Sequence, residues 1–466
     1  MKRCRKLFYL IPAFAVMIFV GCSNKGRSSE NVDYEYSDYV FDNDAPQYYM
    51  SNSSAAAPSG YYFIGDAAIS TGSERFLYYF DMVNKSVMPL CTKLNCEHNS
   101  QDCDAYVSDK SRVTGGLWYY NNRLYMIERT DEKDLLVSYD KTGRDKKTEA
   151  VLSVNGMSVV SSRQRACFSH GKLYYILTSE KTQYLYYVQV GTNTQPQFIK
   201  EYSTVYGIRE TITLYPVGEK VYVKLVSGIT DVTNDYILES IDINDNNVSK
   251  VYDYMSDGSI FRGEADDWNN GAYIDESGNM YFISLTEDSY ILNKMNTVSK
   301  DNEEIFVIDL SQDTGKKEAY TDFLGIDDKY IYILERVDFS IAKNRKNKEL
   351  KNKELKNKLD ILDTKGNIVD VIEFTTNDKY AKENQVGTEG NGLQFDFFNG
   401  DSRYMLFAVE GYSKTGVEFS EQNIKKYKEC VEKLRGQQKT VTTYSYAVID
   451  KKDIGTGNCK IINVTP

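Results

Sequence analysis

One short pattern returns seven times along the chain, and it limits the possible folds more than any other feature. It reads GYYFIG at Gly60, NRLYMIE at Asn122, GKLYYIL at Gly171, EKVYVKL at Glu219, GNMYFIS at Gly278, KYIYILE at Lys329 and RYMLFAV at Arg403. A turn-forming or charged pair leads into an apolar run with tyrosine near its second apolar position. The aligned residues are Tyr62, Tyr125, Tyr174, Tyr222, Tyr281, Tyr332 and Leu406. A second apolar run follows each of these: FLYYFD, LLVSYD, YLYYVQ, YILESID, EIFVID, LDILD and YAVID. All but one end in aspartate: Asp81, Asp140, Asp242, Asp309, Asp363 and Asp450. An aspartate there can hydrogen-bond the backbone of the next turn, as in DKTG and DTKG.

A repeat of about 50 residues holding about four short strands is the pattern of a propeller. One such unit cannot bury both of its faces, and packing units face to face around an axis creates the core. With 39 tyrosines and 7 prolines in 466 residues, the composition suits strands. The expected fold is all-β, a seven-bladed β-propeller of four-stranded blades; an array of β-sandwiches is the less regular alternative. Two units are lengthened. A charged insertion at about 337–358 carries KNKEL twice, at Lys346 and Lys351, and reads as a solvated surface excursion. A helical insertion at about 418–436 lies in the last unit. Ser420 caps it, Ile424, Tyr427, Val431 and Leu434 share one face, and Gly436 ends it.

The N-terminus addresses location. Lys2, Arg3, Arg5 and Lys6 precede an apolar run from Leu7 to Val20, which is short for a membrane span and has the form of a secretory signal. The run ends in Phe19-Val20-Gly21-Cys22, which resembles the lipobox of bacterial lipoproteins but has Phe19 where leucine is usual. That resemblance implies cleavage before Cys22 and a thioether-linked lipid on its thiol; a plain signal anchor is the alternative. The expected organisation is a signal peptide over 1–21, a flexible tether over 22–47 rich in Ser, Asn, Asp and Gly, and a propeller domain over 48–466. Such a chain sits at the cell membrane, lipid-anchored, on the extracytoplasmic side. The net charge of −11 argues against nucleic acid as a partner.

The stretch CTKLNCEHNSQDC packs Cys91, Cys96, His98 and Cys103 close together, and the chain has only one other histidine, His170. In an extended segment His98 faces the same side as Cys96, and the flanking turns can bring all four side chains to one point. Three thiolates and an imidazole suit tetrahedral zinc in a structural role. Oxidation is the rival reading, because exported cysteines often pair. Cys91, Cys96 and Cys103 are odd in number, so one of them would be left over or pair with Cys167, Cys430 or Cys459. Cys167 otherwise reads as a small buried apolar residue, Cys430 and Cys459 as a pair able to staple the helical insertion, and His170 as a turn residue.

Taken with the lipobox and the tyrosine-rich repeats, PLCTKLNCEHNSQDCDAY makes the chain resemble uncharacterised lipoproteins of Gram-positive anaerobes with a predicted propeller and a Cys-rich turn after the first blade. The resemblance implies this fold and this location, and it brings no activity with it.

Loops entering the innermost strand of successive units carry Arg112, Arg163, Arg165, Arg209 and Arg262, with Trp268 beside the last. Arginine's planar fork suits carboxylate or phosphate, and Trp268 can stack on a sugar ring. Glu210, Glu264, Asp266 and Asp267 lie in the same loops, so ion pairs tying neighbouring blades together are the competing use. No G-x-S-x-G, P-loop or H-E-x-x-H motif occurs. The expected function is a monomeric binding or scaffolding propeller for an anionic glycan or a protein of the cell envelope. A propeller lyase or hydrolase acting on polysaccharide is the alternative, since fold does not decide between them.

Overall fold

The computed structural model describes residues 54–66, 75–107, 116–160, 165–203, 211–228, 234–256, 273–309, 319–337, 357–374, 394–414 and 440–464, except 85, 97, 99, 180, 181, 192, 276, 286–288, 297, 300, 328, 402 and 460. The signal peptide, the tether, Cys22 and the helical insertion fall outside the described residues, as does the charged insertion apart from its ends. The only helix among the described residues is a single turn, Lys451–Asp453.

The strands form seven antiparallel sheets, each built from consecutive stretches of chain: 54–107, 117–151, 158–203, 211–256, 273–309, 319–374 and 394–464. The repeated pattern is the second strand of every sheet, from Gly60–Asp66 in the first to Tyr404–Lys414 in the seventh. Five sheets have four strands and two have five. In both exceptions the fifth strand is one interrupted strand in two pieces. In the first sheet the outermost strand, Ser86–Pro89, pairs with Tyr78–Asp81 and resumes as Tyr106–Val107 against Arg75 and Phe76. In the third, Ser158–Val159 and Ala166–Ser169 both pair with Lys172–Ser179 on its inner side. Each break pivots on one residue. The Leu77 amide donates to Ala105 and its carbonyl accepts from Leu90; the Ile176 amide donates to Arg165 and its carbonyl accepts from Val160.

The expected turn aspartates end the third strands and hold the next turn. Asp81 accepts from the Val83 and Asn84 amides, Asp140 from Thr142 and Arg144, Asp363 from Lys365 and Asn367, and Asp242 from Asn244. Asp309 does not belong to this set: it ends Asn302–Asp309, the fourth strand of its sheet. The third strand there is Ser289–Asn296, and the Asn296 side chain takes the aspartate's place by accepting from Val298 and Ser299. An amide oxygen bonds these two N–H groups as a carboxylate does, which is why the sequence pattern skipped this strand.

The core lies between sheets. Tyr62 stacks on Tyr119 of the second sheet at 5.8 Å, and Tyr125 on Phe168 of the third at 5.0 Å. Tyr174 packs with Ile212, Leu214 and Val223 of the fourth sheet, and Tyr222 with Ile274 and Met280 of the fifth. Tyr281 packs with Ile331 and Ile333 of the sixth, and Tyr332 with Met405 and Phe407 of the seventh. Each repeat tyrosine therefore points at the next sheet. A Tyr ring buries a large apolar body and keeps a hydroxyl for a polar edge, which suits a surface that is apolar in its middle and wet at its rim. The last sheet meets the first through Phe63 and Tyr446, 5.0 Å apart, and through Phe80 and Tyr446, 6.2 Å apart.

Candidate metal centre

The outer strand of the first sheet stops at Pro89 because the chain leaves the sheet there, and it returns at Tyr106. Between these points lie Cys91, Cys96, His98 and Cys103, whose ligand atoms all fall within 4.8 Å of one another. His98 Nδ1 lies 3.3 Å from Cys103 Sγ. Two ligands of one tetrahedral zinc, with bonds near 2.3 Å to sulfur and near 2.0 Å to nitrogen, stand about 3.5 Å apart. The donor set and its spread fit a metal ion.

The route to this convergence differs from the extended segment expected from sequence. Asn95 has φ 60° and His98 φ 52°, both in the left-handed region that non-glycine residues seldom occupy. The chain reverses at each of them, and the reversals, rather than strand alternation, swing His98 onto the cysteines. Lys93 braces the stretch across its width through an ion pair with Asp104 at 3.1 Å and a hydrogen bond to the Asp102 carbonyl. Thr92 donates to the same Asp104 at 3.2 Å. The sequence carried no local signal for these braces, because partners nine to twelve positions apart meet only once the turn has closed.

Cys103 is buried beside Phe76 and Ala105, while Cys91, Cys96 and His98 are partly exposed. Burial pushes the Cys103 thiol up to about 12. Burial pulls the same way on Cys91, but hydrogen bonds from the backbone at Lys93 and Asp104 and from the neighbouring thiols outweigh it, so Cys91 ionises more readily than an ordinary cysteine. Burial lowers the His98 pKa, which favours the neutral imidazole, the form that ligates metals. A metal ion would supply the positive charge that lets three thiolates sit together.

The remaining cysteines behave as follows. Cys91, Cys96, Cys103, Cys167 and Cys459 all carry free thiols. Cys167 is buried between the third and fourth sheets, as a small apolar residue would be. Cys459 packs at the edge of the core between the sixth and seventh sheets, and Cys430 lies outside the described residues. His170, φ 50°, occupies a turn, bonds the Ser169 hydroxyl at 2.9 Å and reaches Glu219 of the fourth sheet at 3.4 Å.

Of the arginine set, only Arg165 is among the described residues; Arg112, Arg163, Arg209, Arg262 and Trp268 lie outside them. Arg165 sits at the break in the inner strand of the third sheet. Its side chain is buried and donates to Gln183 at 2.9 Å. Burial brings its pKa down to about 10.

Fold and site together define a β-propeller whose first sheet carries a Cys-rich turn able to hold a metal ion. No family model matches the chain, and no curated protein matches it. Among solved structures, a protein from Lactobacillus plantarum is similar over 86% of this chain and 95% of its own, at 9% identity and a TM-score of 0.41. A prolyl endopeptidase is similar over 90% of this chain at 8% identity and a TM-score of 0.42, and this chain spans 50% of its length. TolB from Acinetobacter baumannii is similar over 75% of this chain and 76% of its own, at 13% identity and a TM-score of 0.31. At these identities and scores the likeness carries no information about activity.

Proposed function

We propose that the chain is a membrane-anchored extracytoplasmic lipoprotein whose propeller binds or scaffolds a cell-envelope ligand, an anionic glycan or a protein. The seven sheets are read as seven blades of one closed ring, acting as a monomer. The location rests on Phe19-Val20-Gly21-Cys22 at the end of the apolar run. The binding role rests on a rigid ring whose connecting loops can vary without disturbing the core between sheets. Arg112, Arg163, Arg209, Arg262 and Trp268 are the ligand-face residues of this reading; Arg165, also expected there, is buried against Gln183 and is withdrawn from the set.

The rim centre carries a structural zinc ion in the same reading, and the observation that supports it is the approach of four donor atoms to within 4.8 Å of one another. Four protein ligands fill a tetrahedral zinc and leave no position for a reacting water.

Two measurements test the reading. A palmitate analogue fed to cells should label the wild type and not Cys22→Ala; an unlabelled wild type removes the anchor. The purified chain, assayed against anionic envelope polysaccharides and acidic peptides, should bind in a salt-sensitive way and lose affinity in the Arg163→Ala, Arg209→Ala double variant. Turnover of a polysaccharide would make the chain an enzyme instead.

A further inference from the structure

We propose that the metal clamps the interrupted outer strand of the first sheet, so that occupancy of the rim centre decides whether Tyr106–Val107 stays paired. The inference rests on the zinc reading above.

The stretch 90–105 leaves and rejoins the sheet at a single residue, Leu77, whose amide donates to Ala105 at 2.7 Å and whose carbonyl accepts from Leu90 at 2.8 Å. The returning strand is only two residues long and pairs with Arg75 and Phe76 alone. Between Leu90 and Val107, which reach the core shared with the second sheet, little apolar surface holds this stretch down. Its cluster consists of Phe76, Cys103 and Ala105, edged by Tyr78, Cys91, Cys96 and Tyr106. Three of these are the thiol ligands themselves. Leu94, the one large aliphatic side chain at the tip, is 94% exposed and contributes nothing to burial. The stretch also holds two non-glycine residues, Asn95 and His98, in left-handed backbone. Such positions persist only when their surroundings over-determine them. The braces through Lys93 are exposed at 52% of that side chain and are screened by solvent. A stretch with few buried contacts and strained turns belongs to the least stable part of a fold unless something else ties it. A metal bound at Cys91, Cys96, His98 and Cys103 ties both ends of the stretch and its middle to one point.

In its absence the chain from 90 to 105 is released, the short strand 106–107 detaches, and the outer edge of Arg75–Leu77 becomes exposed. The loss reaches the second sheet only through Val107 and Leu90, which pack in the core shared by the first two sheets, and the third to seventh sheets are unaffected.

Hydrogen exchange on the full-length protein tests this, read with zinc bound, after removal by a chelator, and after return of one equivalent. Removal should speed exchange of the Leu77 and Tyr106 amides at least about tenfold and leave amides such as Tyr174 in the third sheet unchanged, with zinc and not magnesium restoring protection. His98→Ala, read the same way without chelator, should show the exposed-edge pattern at lower metal content. One equivalent of metal bound with unchanged protection after its removal overturns the clamp and leaves the zinc reading standing. Protein that binds no zinc when it is supplied overturns both.

Discussion

The Tyr61 hydroxyl donates to the Asp401 carboxylate at 2.8 Å, joining residues 340 positions apart in the first and seventh sheets. The bond has a local counterpart in the two preceding sheets. Asp275 accepts from Tyr281 at 3.2 Å, and Asp327 from Tyr332 at 2.6 Å, in each case the repeat tyrosine of the same sheet. In the seventh sheet the repeat position is Leu406, which has no hydroxyl, and the bond is made by Tyr61 from the other side of the junction. Among the described residues no strand pairs across these two sheets, and this side-chain bond joins them.

Tyr61→Phe is therefore expected to destabilise the fold by about 1–3 kcal/mol, the cost of leaving one buried carboxylate oxygen without its donor. Urea unfolding of the purified variant measures this. Stability equal to the wild type would show that the junction does not depend on the bond.

The junction of sixth and seventh sheets holds a buried ion pair, Lys451 with Asp327 at 3.0 Å, and Lys451 also lies 5.2 Å from the Tyr332 ring centre. Asp327→Asn keeps the turn bonds from Lys329 and Tyr330 but deprives a buried ammonium of this carboxylate, at an expected cost of about 3–5 kcal/mol near neutral pH. Burial by itself would raise the Asp327 pKa; the Lys451 charge and the hydrogen bonds from Tyr332 and the turn amides outweigh it, and the pKa falls below the ordinary 3.8. A lowered carboxylate pKa means that the unfolded chain binds the proton more readily, so stability rises with pH in this range. The contribution is complete above 3.8 and is lost as pH falls through the lowered value. The gap between wild type and variant, measured by denaturation across an acid series, should narrow below that point; a constant gap would contradict the assignment.

Tyr174 is fully buried, stacks on Tyr187 at 5.9 Å and donates to Asn246 of the fourth sheet at 3.3 Å. Truncation in Tyr174→Ala should cost about 3–5 kcal/mol, as deletion of a buried ring does. Tyr174→Phe, which loses only the hydrogen bond, should cost about 1 kcal/mol. Thermal melts of the two variants would separate ring packing from the polar contact, and equal losses would show that the hydroxyl, not the ring, carries the effect.

Gly366 has φ +84°, and a Cβ there would stand 1.8 Å from the Ile305 carbonyl oxygen in the neighbouring sheet. Gly457 has φ +74° with nothing within 4 Å. Gly457→Ala should cost about 1–2 kcal/mol, for left-handed backbone alone. Gly366→Ala should cost clearly more, because the junction of the fifth and sixth sheets must also open. Similar melting temperatures for the two variants would show that this junction yields easily.

Purified wild type should carry about one equivalent of zinc, measured by elemental analysis. Cys103→Ser should lose most of it, whereas Cys167→Ser, altered at a buried cysteine far from the cluster, should keep it. Retention of metal by Cys103→Ser would place the metal elsewhere.

Much of this architecture is legible in the linear chain because strand patterning is local. A Tyr flanked by apolar residues after a turn, and an Asp before the next turn, are short-range devices, and they located the second strand of every sheet. The pattern failed at Ser289–Asn296, where asparagine does the work of aspartate, and that substitution is invisible to a rule written for carboxylates. The four clustered donor residues were also legible, since all lie in one short stretch. The left-handed turns at Asn95 and His98 that bring them together were not, because Asn and His favour that backbone state only weakly and most of the described Asn residues do not adopt it.

By itself, the sequence determined the repeat, the strand content, the residue types at the rim centre and the polar turn chemistry, each set by neighbours a few positions away. Only the tertiary structure decided the rest. It turned each repeat tyrosine toward the next sheet, split two strands around Leu77 and Ile176, buried Arg165, and matched Tyr61 to Asp401 where Leu406 could not serve. These outcomes depend on which sheets lie face to face, and an apolar interface accepts whichever distant side chain fills its volume and satisfies its buried polar atoms.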